Sequence, residues 1–211
     1  TEHGVTTYPS FPDEILEGTG ARFQDTTPEA LTGRAIVGRV WEWGDGVTTN
    51  NSLATNRSFP DNGTFEVTLR LTDSFGMVTE TTREVVVANR PPTANAGSSF
   101  TSYVAPLPSG GHGAVWTNNA SVSDPSTVDR LTLHCEWDFD DGSDNVEIEN
   151  CANANVRIPH TYGVGEYTPR LTVTDKDGAA TSSTTTVTVE KAPTYLTVYP
   201  VPGTAGSGSV Q

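Results

Sequence analysis

No apolar run in the 211 residues approaches the roughly 20 that a membrane-spanning helix needs, so insertion by that route is not expected. Lysine is scarce: only Lys176 and Lys191 among twelve basic residues, against 26 acidic ones. The formal charge of −14 repels nucleic acid and anionic membrane, and draws cations and cationic surfaces. Hydrophobic residues make up 34%, too few for one thick core but suited to thin sandwiches whose strands bury one face. No signal peptide is visible, since residues 1–20 are acidic and rich in Pro and Gly. G-x-S-x-G, H-E-x-x-H and a phosphate loop are missing, and His3, His112, His134 and His160 are scattered, so no enzyme is expected. Asp138 and Asp140 alternate as paired glycosidase carboxylates can, but a hairpin explains the same acids. Cysteine is limited to Cys135 and Cys151, outside any C-x-x-C and too few for a structural zinc site. Such a pair suggests a disulfide and an oxidising compartment; the alternative is two free thiols in a cytosolic chain. The bond would close a loop of about sixteen residues, worth about 3 kcal/mol by chain entropy.

What the chain has is Gly (20), Pro (14) and strand-forming Thr and Val, an all-β composition with many turns. It also repeats itself. Trp41-Glu42-Trp43-Gly44-Asp45-Gly46 returns as Trp137-Asp138-Phe139-Asp140-Asp141-Gly142. Downstream, Gly63-Thr64-Phe65 through Leu71-Thr72-Asp73 returns as Gly165-Glu166-Tyr167 through Val173-Thr174-Asp175. Two motifs in one order at nearly one spacing indicate two copies of a unit. Phe65, Val67, Leu69 and Leu71 alternate with polar residues, which predicts a strand with one face inward. Asp45-Gly46 and Asp141-Gly142 predict hairpin turns. No segment shows helical periodicity over ten residues; Glu29 to Val40 comes nearest but contains Gly33 and Gly38. Asn89-Arg90-Pro91-Pro92 stops the ladder and stiffens the joint. The expected units are residues 1–89 and 90–190, with 191–211 a linker or the first strand of a further domain.

These motifs, with His160-Thr161-Tyr162 and Leu171-Thr172-Val173-Thr174-Asp175-Lys176-Asp177-Gly178, resemble the PKD (polycystic kidney disease) domain. Residues 119–125 and the entry Asn89-Arg90-Pro91-Pro92 are similar to that family too. The first copy diverges: Arg57 replaces the His, Phe59 and Phe65 replace the Tyr pair, and the Ser-x-Asp-Pro loop is missing. The resemblance implies two tandem seven-stranded β-sandwiches of immunoglobulin or fibronectin type, joined by a short Pro-rich linker. One Trp per unit is expected to anchor the core. Tyr162 offers a hydroxyl that can tie down a loop, and His160 reads as a structural hydrogen-bonder. Some family members, including those in bacterial collagenases, bind calcium through a linker Asn and loop Asp residues. The matching positions are Asn89, Asp124 and Asp129. Residues 124–149 add a crowd of nine carboxylates beside one Arg, which a hard cation would relieve, although turn chemistry explains such acids as well. The EF-hand pattern fails at Asp138–Gly142. Since the first unit lacks the loop, such a site is expected within the second; no cofactor is required.

Asn50, Asn56, Asn62 and Asn119 begin glycosylation sequons, expected on exposed turns. Trp116, Tyr8, Tyr103, Tyr195 and Tyr199 would suit a polysaccharide strip if exposed, but Trp116 reads better as an inward strand residue. The resulting expectation is a non-catalytic extracellular spacer, adhesion or assembly module at a cell or virion surface. Its partners would be protein, by self-assembly or through neighbouring domains, or extracellular polysaccharide. Alternatives are an accessory substrate-binding module of a secreted hydrolase and a virion or cell-envelope decoration protein.

Overall fold

The computed structural model describes residues 9–12, 14–27, 35–104, 113–151 and 155–193. The expectations for His3, His112, Tyr8, Tyr195, Tyr199 and the chain after 193 lie outside them. Every regular element described is a strand except a 3₁₀ turn at Asp129–Leu131.

In chain order the first sandwich contains β1 (Pro9–Ser10), β2 (Ile15–Leu16), β3 (Gly20–Asp25), β4 (Ile36–Glu42), β5 (Thr48–Asn50), β6 (Ala54–Ser58), β7 (Gly63–Asp73) and β8 (Val78–Ala88). One sheet runs β1-β3-β6 and the other β2-β8-β7-β4-β5. Val67, Leu69 and Leu71 on β7 are buried, as their alternation requires. β7 and β8 pair continuously from Gly63↔Val87 to Thr72↔Val78. The β4–β5 turn takes positive φ at Gly44 and Gly46, where a Cβ would be strained. Trp41 and Trp43 are both fully buried and stack at 5.5 Å. The expectation of one anchoring Trp is therefore corrected: two residues apart on one strand face, both rings enter the core. By area each contributes about 5 kcal/mol at most.

The second sandwich contains β9 (Thr93–Asn95), β10 (Phe100–Val104), β11 (Ala114–Trp116), β12 (Ser121–Ser123), β13 (His134–Asp138), β14 (Val146–Ile148), β15 (His160–Tyr162), β16 (Gly165–Tyr167), β17 (Arg170–Thr174), β18 (Ala180–Thr184) and β19 (Val187–Lys191). β14-β13-β17-β18 form the largest sheet; β10-β19-β16, β11-β15 and β12-β9 complete the sandwich. Here the long hairpin of the first copy is cut. Pro169 stands where the first copy has Val67; it offers no N–H, so the ladder breaks between β16 and β17. Trp137 and Trp116 meet edge to face at 5.5 Å, both buried, so this core also holds two tryptophans. Cys135 on β13 is bonded to Cys151, with Cα atoms 5.9 Å apart.

Candidate cation site at the junction between the sandwiches

The end of β2 carries the first component. Leu16 pairs in parallel with Ala88 at the end of β8. Glu17 N then donates to Ala88 O at 3.1 Å, and Gly18 N to Phe59 O at 2.8 Å. This fixes Glu17 at the linker-side pole of the first sandwich, fully buried. Its Oε1 accepts the Arg90 backbone N–H at 2.9 Å, while Oε2 is buried without a partner.

The loop after β12 carries the next two. Asp124 Oδ1 accepts Ser126 N at 2.7 Å, and Oδ2 is buried without a partner. Ser126 Oγ receives Asp129 N at 3.1 Å and donates to Pro60 O of the first sandwich at 2.8 Å, so the loop is fastened across the junction. Asp129 is fully buried; its Oδ1 is ion-paired with Lys176 Nζ at 3.1 Å, and its Oδ2 has no partner. The linker adds Asn89, whose Nδ2 donates to Asp175 Oδ2 at 2.9 Å; its Oδ1 is left buried and unpaired.

One oxygen each from Glu17, Asp124 and Asp129 lie within 4.8 Å of one another. Burial is the chief cause holding all three carboxyls above their ordinary range; neighbouring carboxylates add to it, and Lys176 offsets part of it at Asp129. Leaving buried carboxylate oxygens unpaired costs several kcal/mol, which a cation at the centre would relieve. The donors are oxygen only, the preference of a hard cation. Calcium–oxygen distances of about 2.3–2.6 Å place two ligands of one ion up to about 5 Å apart, so this set fits.

The expected ligands Asn89, Asp124 and Asp129 all reach the junction, where Glu17 and Asp175 join them unforeseen; Glu17, from the first sandwich, corrects the expectation of a cluster confined to the second. Locally Glu17 is only an acid between the apolar pair Ile15-Leu16 and a glycine, a pattern that does not mark a ligand. The other acids of 124–149 lie on the surface. Asp138 Oδ1 accepts Asp140 N and Asp141 Oδ1 accepts Ser143 N, so these two serve the turn, while Asp140 Oδ2 accepts Thr168 N and ties the hairpin to the segment after β16.

The remaining candidates are structural. His160 stacks on Phe139 at 3.8 Å, with Nε2 2.8 Å from Asp141 Oδ2. Partial burial works against the Asp141 carboxylate, but its hydrogen bonds to His160 and Ser143 prevail and hold the pKa at about 2. In the first sandwich Arg57 lies over Trp43 and Phe59 and pairs with Asp45. Trp116 is 1% exposed, which removes it from any sugar-binding strip; Tyr103 is 60% exposed. The Tyr162 hydroxyl ties down no loop: it is buried without a partner, and burial raises its pKa. Asn50 and Asn56 are exposed, Asn62 is half-buried beside Lys176, and Asn119 Oδ1 accepts Ser98 N at 2.8 Å.

Two facing-sheet sandwiches in tandem, with a Trp hairpin in each, define the chain as an immunoglobulin-like β-sandwich protein. The PKD domain profile matches residues 7–88 and again 104–189, and the chain belongs to that family. Among solved structures it is similar to the PKD1 domain of the Vibrio cholerae metalloprotease PrtV, at 25% identity over 38% of this chain and 93% of that one, with a TM-score of 0.34. It is also similar to fibronectin(III)-like modules of Clostridium thermocellum CbhA, at 13% identity over 91% and 100%, TM-score 0.34. The insect immune protein hemolin matches at 11% identity over 90% and 48%, TM-score 0.44. No curated protein matches the sequence.

Proposed function

We propose that the chain is a non-catalytic extracellular structural module, a semi-rigid spacer whose two sandwiches are locked in register by calcium at their junction. The observation that carries this reading is the set of buried, unpaired oxygens drawn from both sandwiches and the linker: Glu17 Oε2, Asn89 Oδ1, Asp124 Oδ2 and Asp129 Oδ2. A site assembled from two domains stabilises their docked arrangement by the ion's binding free energy, because neither domain alone supplies all the ligands. The Pro-Pro linker and the Arg90–Glu17 and Ser126–Pro60 hydrogen bonds support stiffness at the same place. Burial of Trp116 favours this reading over a polysaccharide-binding accessory module.

Calorimetric titration with calcium chloride at low ionic strength tests the metal. One ion per chain is expected, with a Kd on the order of 10⁻⁴ M, as in extracellular modules. Glu17→Gln and Asp124→Asn should each abolish it. No binding heat from the native chain would end the calcium reading. Small-angle scattering tests the spacer: one narrow distribution of dimensions is expected with calcium, and a broad one would contradict it.

A further inference from the structure

Beside the first acidic set lies a second, which shares Asp129 with it. One oxygen each from Asp61, Asp129 and Asp177 also lie within 4.8 Å of one another. Asp61 belongs to the first sandwich, Asp129 and Asp177 to the second. Lys176 reaches into their midst. Its Nζ is 2.8 Å from Asp61 Oδ1, 2.5 Å from Asp177 Oδ2 and 3.1 Å from Asp129 Oδ1, the last as an ion pair outside hydrogen-bond geometry. Asn62 Oδ1 adds a fourth oxygen at 3.3 Å. Three carboxylates and an amide oxygen around one positive nitrogen form the ligand set of a hard cation. An ammonium suits the place better than a guanidinium. It is a compact point charge with three divergent donors, whereas the arginine fork is planar. In a chain with ten arginines and two lysines, a lysine stands here.

We propose that Asp61, Asn62, Asp129 and Asp177 form a second cation position, and that Lys176 is its resident cation, a tethered ammonium in the place of a divalent ion. Two facts independent of the acid count point to a ligand. A cation is seated in the set, and Asp129, which both sets share, is 0% exposed with its Oδ2 free of any hydrogen bond. The tether does what an ion would do: it bridges Asp61 of one sandwich to Asp129 and Asp177 of the other. The junction thereby keeps one positive charge at any calcium concentration, and only the Glu17–Asp124–Asp129 position varies with calcium. The proposal leans on the calcium reading only for that first position.

The test is calcium stoichiometry by native mass spectrometry and calorimetry on the full chain, with Lys176→Gln as the central variant. Lys176 lies on a surface turn, and circular dichroism checks that the fold is kept. The native chain should bind one calcium and Lys176→Gln two. Adding Asp177→Asn to Lys176→Gln should return the count to one, because Asp177 serves only the second position. Adding Glu17→Gln instead should also return it to one, by removing only the first. Zero ions in the native chain and one in Lys176→Gln, lost with Asp177→Asn but kept with Glu17→Gln, would uphold the second position while rejecting the first. One ion in both native and Lys176→Gln chains overturns the proposal and leaves the calcium reading intact. None in either overturns both.

Discussion

The turn after the long inner strand is built alike in the two sandwiches. Asp73 Oδ1 accepts Phe75 N and Met77 N at 2.8 and 2.9 Å; Asp175 Oδ1 accepts Asp177 N and Ala179 N at 3.0 and 2.8 Å. The aspartate belongs to the fold, since it satisfies backbone donors where the chain reverses. The next two residues differ. The first copy continues Ser74-Phe75, and the second Lys176-Asp177. In the second copy Asp175 Oδ2 also receives the linker Asn89, and Lys176 grips Asp61 of the neighbouring sandwich. One turn thus serves as a closure in one copy and as a coupling in the other, with the backbone pattern unchanged.

The same contrast runs through the cores, and four measurements would break or sharpen it. The largest effect belongs to the tryptophans. Trp41→Ala and Trp137→Ala should each cost about 4 kcal/mol. In scanning calorimetry each should lower only its own sandwich's transition; equal movement of both would mean a single cooperative unit. Next is the disulfide, present in the second copy alone. Cys135→Ser with Cys151→Ser should remove about 3 kcal/mol from the second transition and leave the first in place.

A smaller effect separates the two clamps over the hairpin, Arg57–Asp45 and His160–Asp141. Arg57→Ala and His160→Ala should cost about 1 kcal/mol each in denaturant titrations. Acid probes the second clamp. The folded pKa of Asp141, about 2, lies below its ordinary value of 3.8. Its contribution is therefore complete above pH 4 and is lost as pH falls towards 2. Asp141→Asn should flatten that part of the second sandwich's stability curve. The remaining effect is at the junction. Glu17, Asp124 and Asp129 have raised folded pKa values, so without calcium their contribution to docking is present below the ordinary carboxyl range and is lost as pH rises through the raised values. Calcium reverses the sign, because it binds the ionised forms. Its affinity should weaken on the order of tenfold between pH 7.5 and 5, measured by titration.

Much of the fold was legible because it repeats. The Trp hairpin and the alternation Phe65, Val67, Leu69, Leu71 each specify a local shape, and finding the motifs twice in one order fixes the tandem. Asp124 and Asp129 were legible through an acidic loop and a family pattern. Glu17 was not, because nothing local to residues 15–18 says that β2 will run parallel to the end of β8 and deliver a carboxylate to the linker. Lys176 was hidden for a similar reason: in sequence it is a turn residue between two aspartates, and its partner Asp61 lies more than a hundred positions away. The fate of the Tyr162 hydroxyl was likewise a matter of packing, since the ring is sealed between Trp116, Phe139 and Tyr167 before its oxygen finds an acceptor.

Gly18 faces Pro125 so closely that a Cβ built on it would stand 2.2 Å from the Pro125 carbonyl oxygen. Its φ of +65° already favours glycine. The angle at which one sandwich leans on the next is therefore limited by a single hydrogen atom. Any larger group there would act as a wedge, prising the lobes apart and drawing Glu17 away from Asp124 and Asp129. The bend of the molecule and its capacity to hold an ion are in this sense one property.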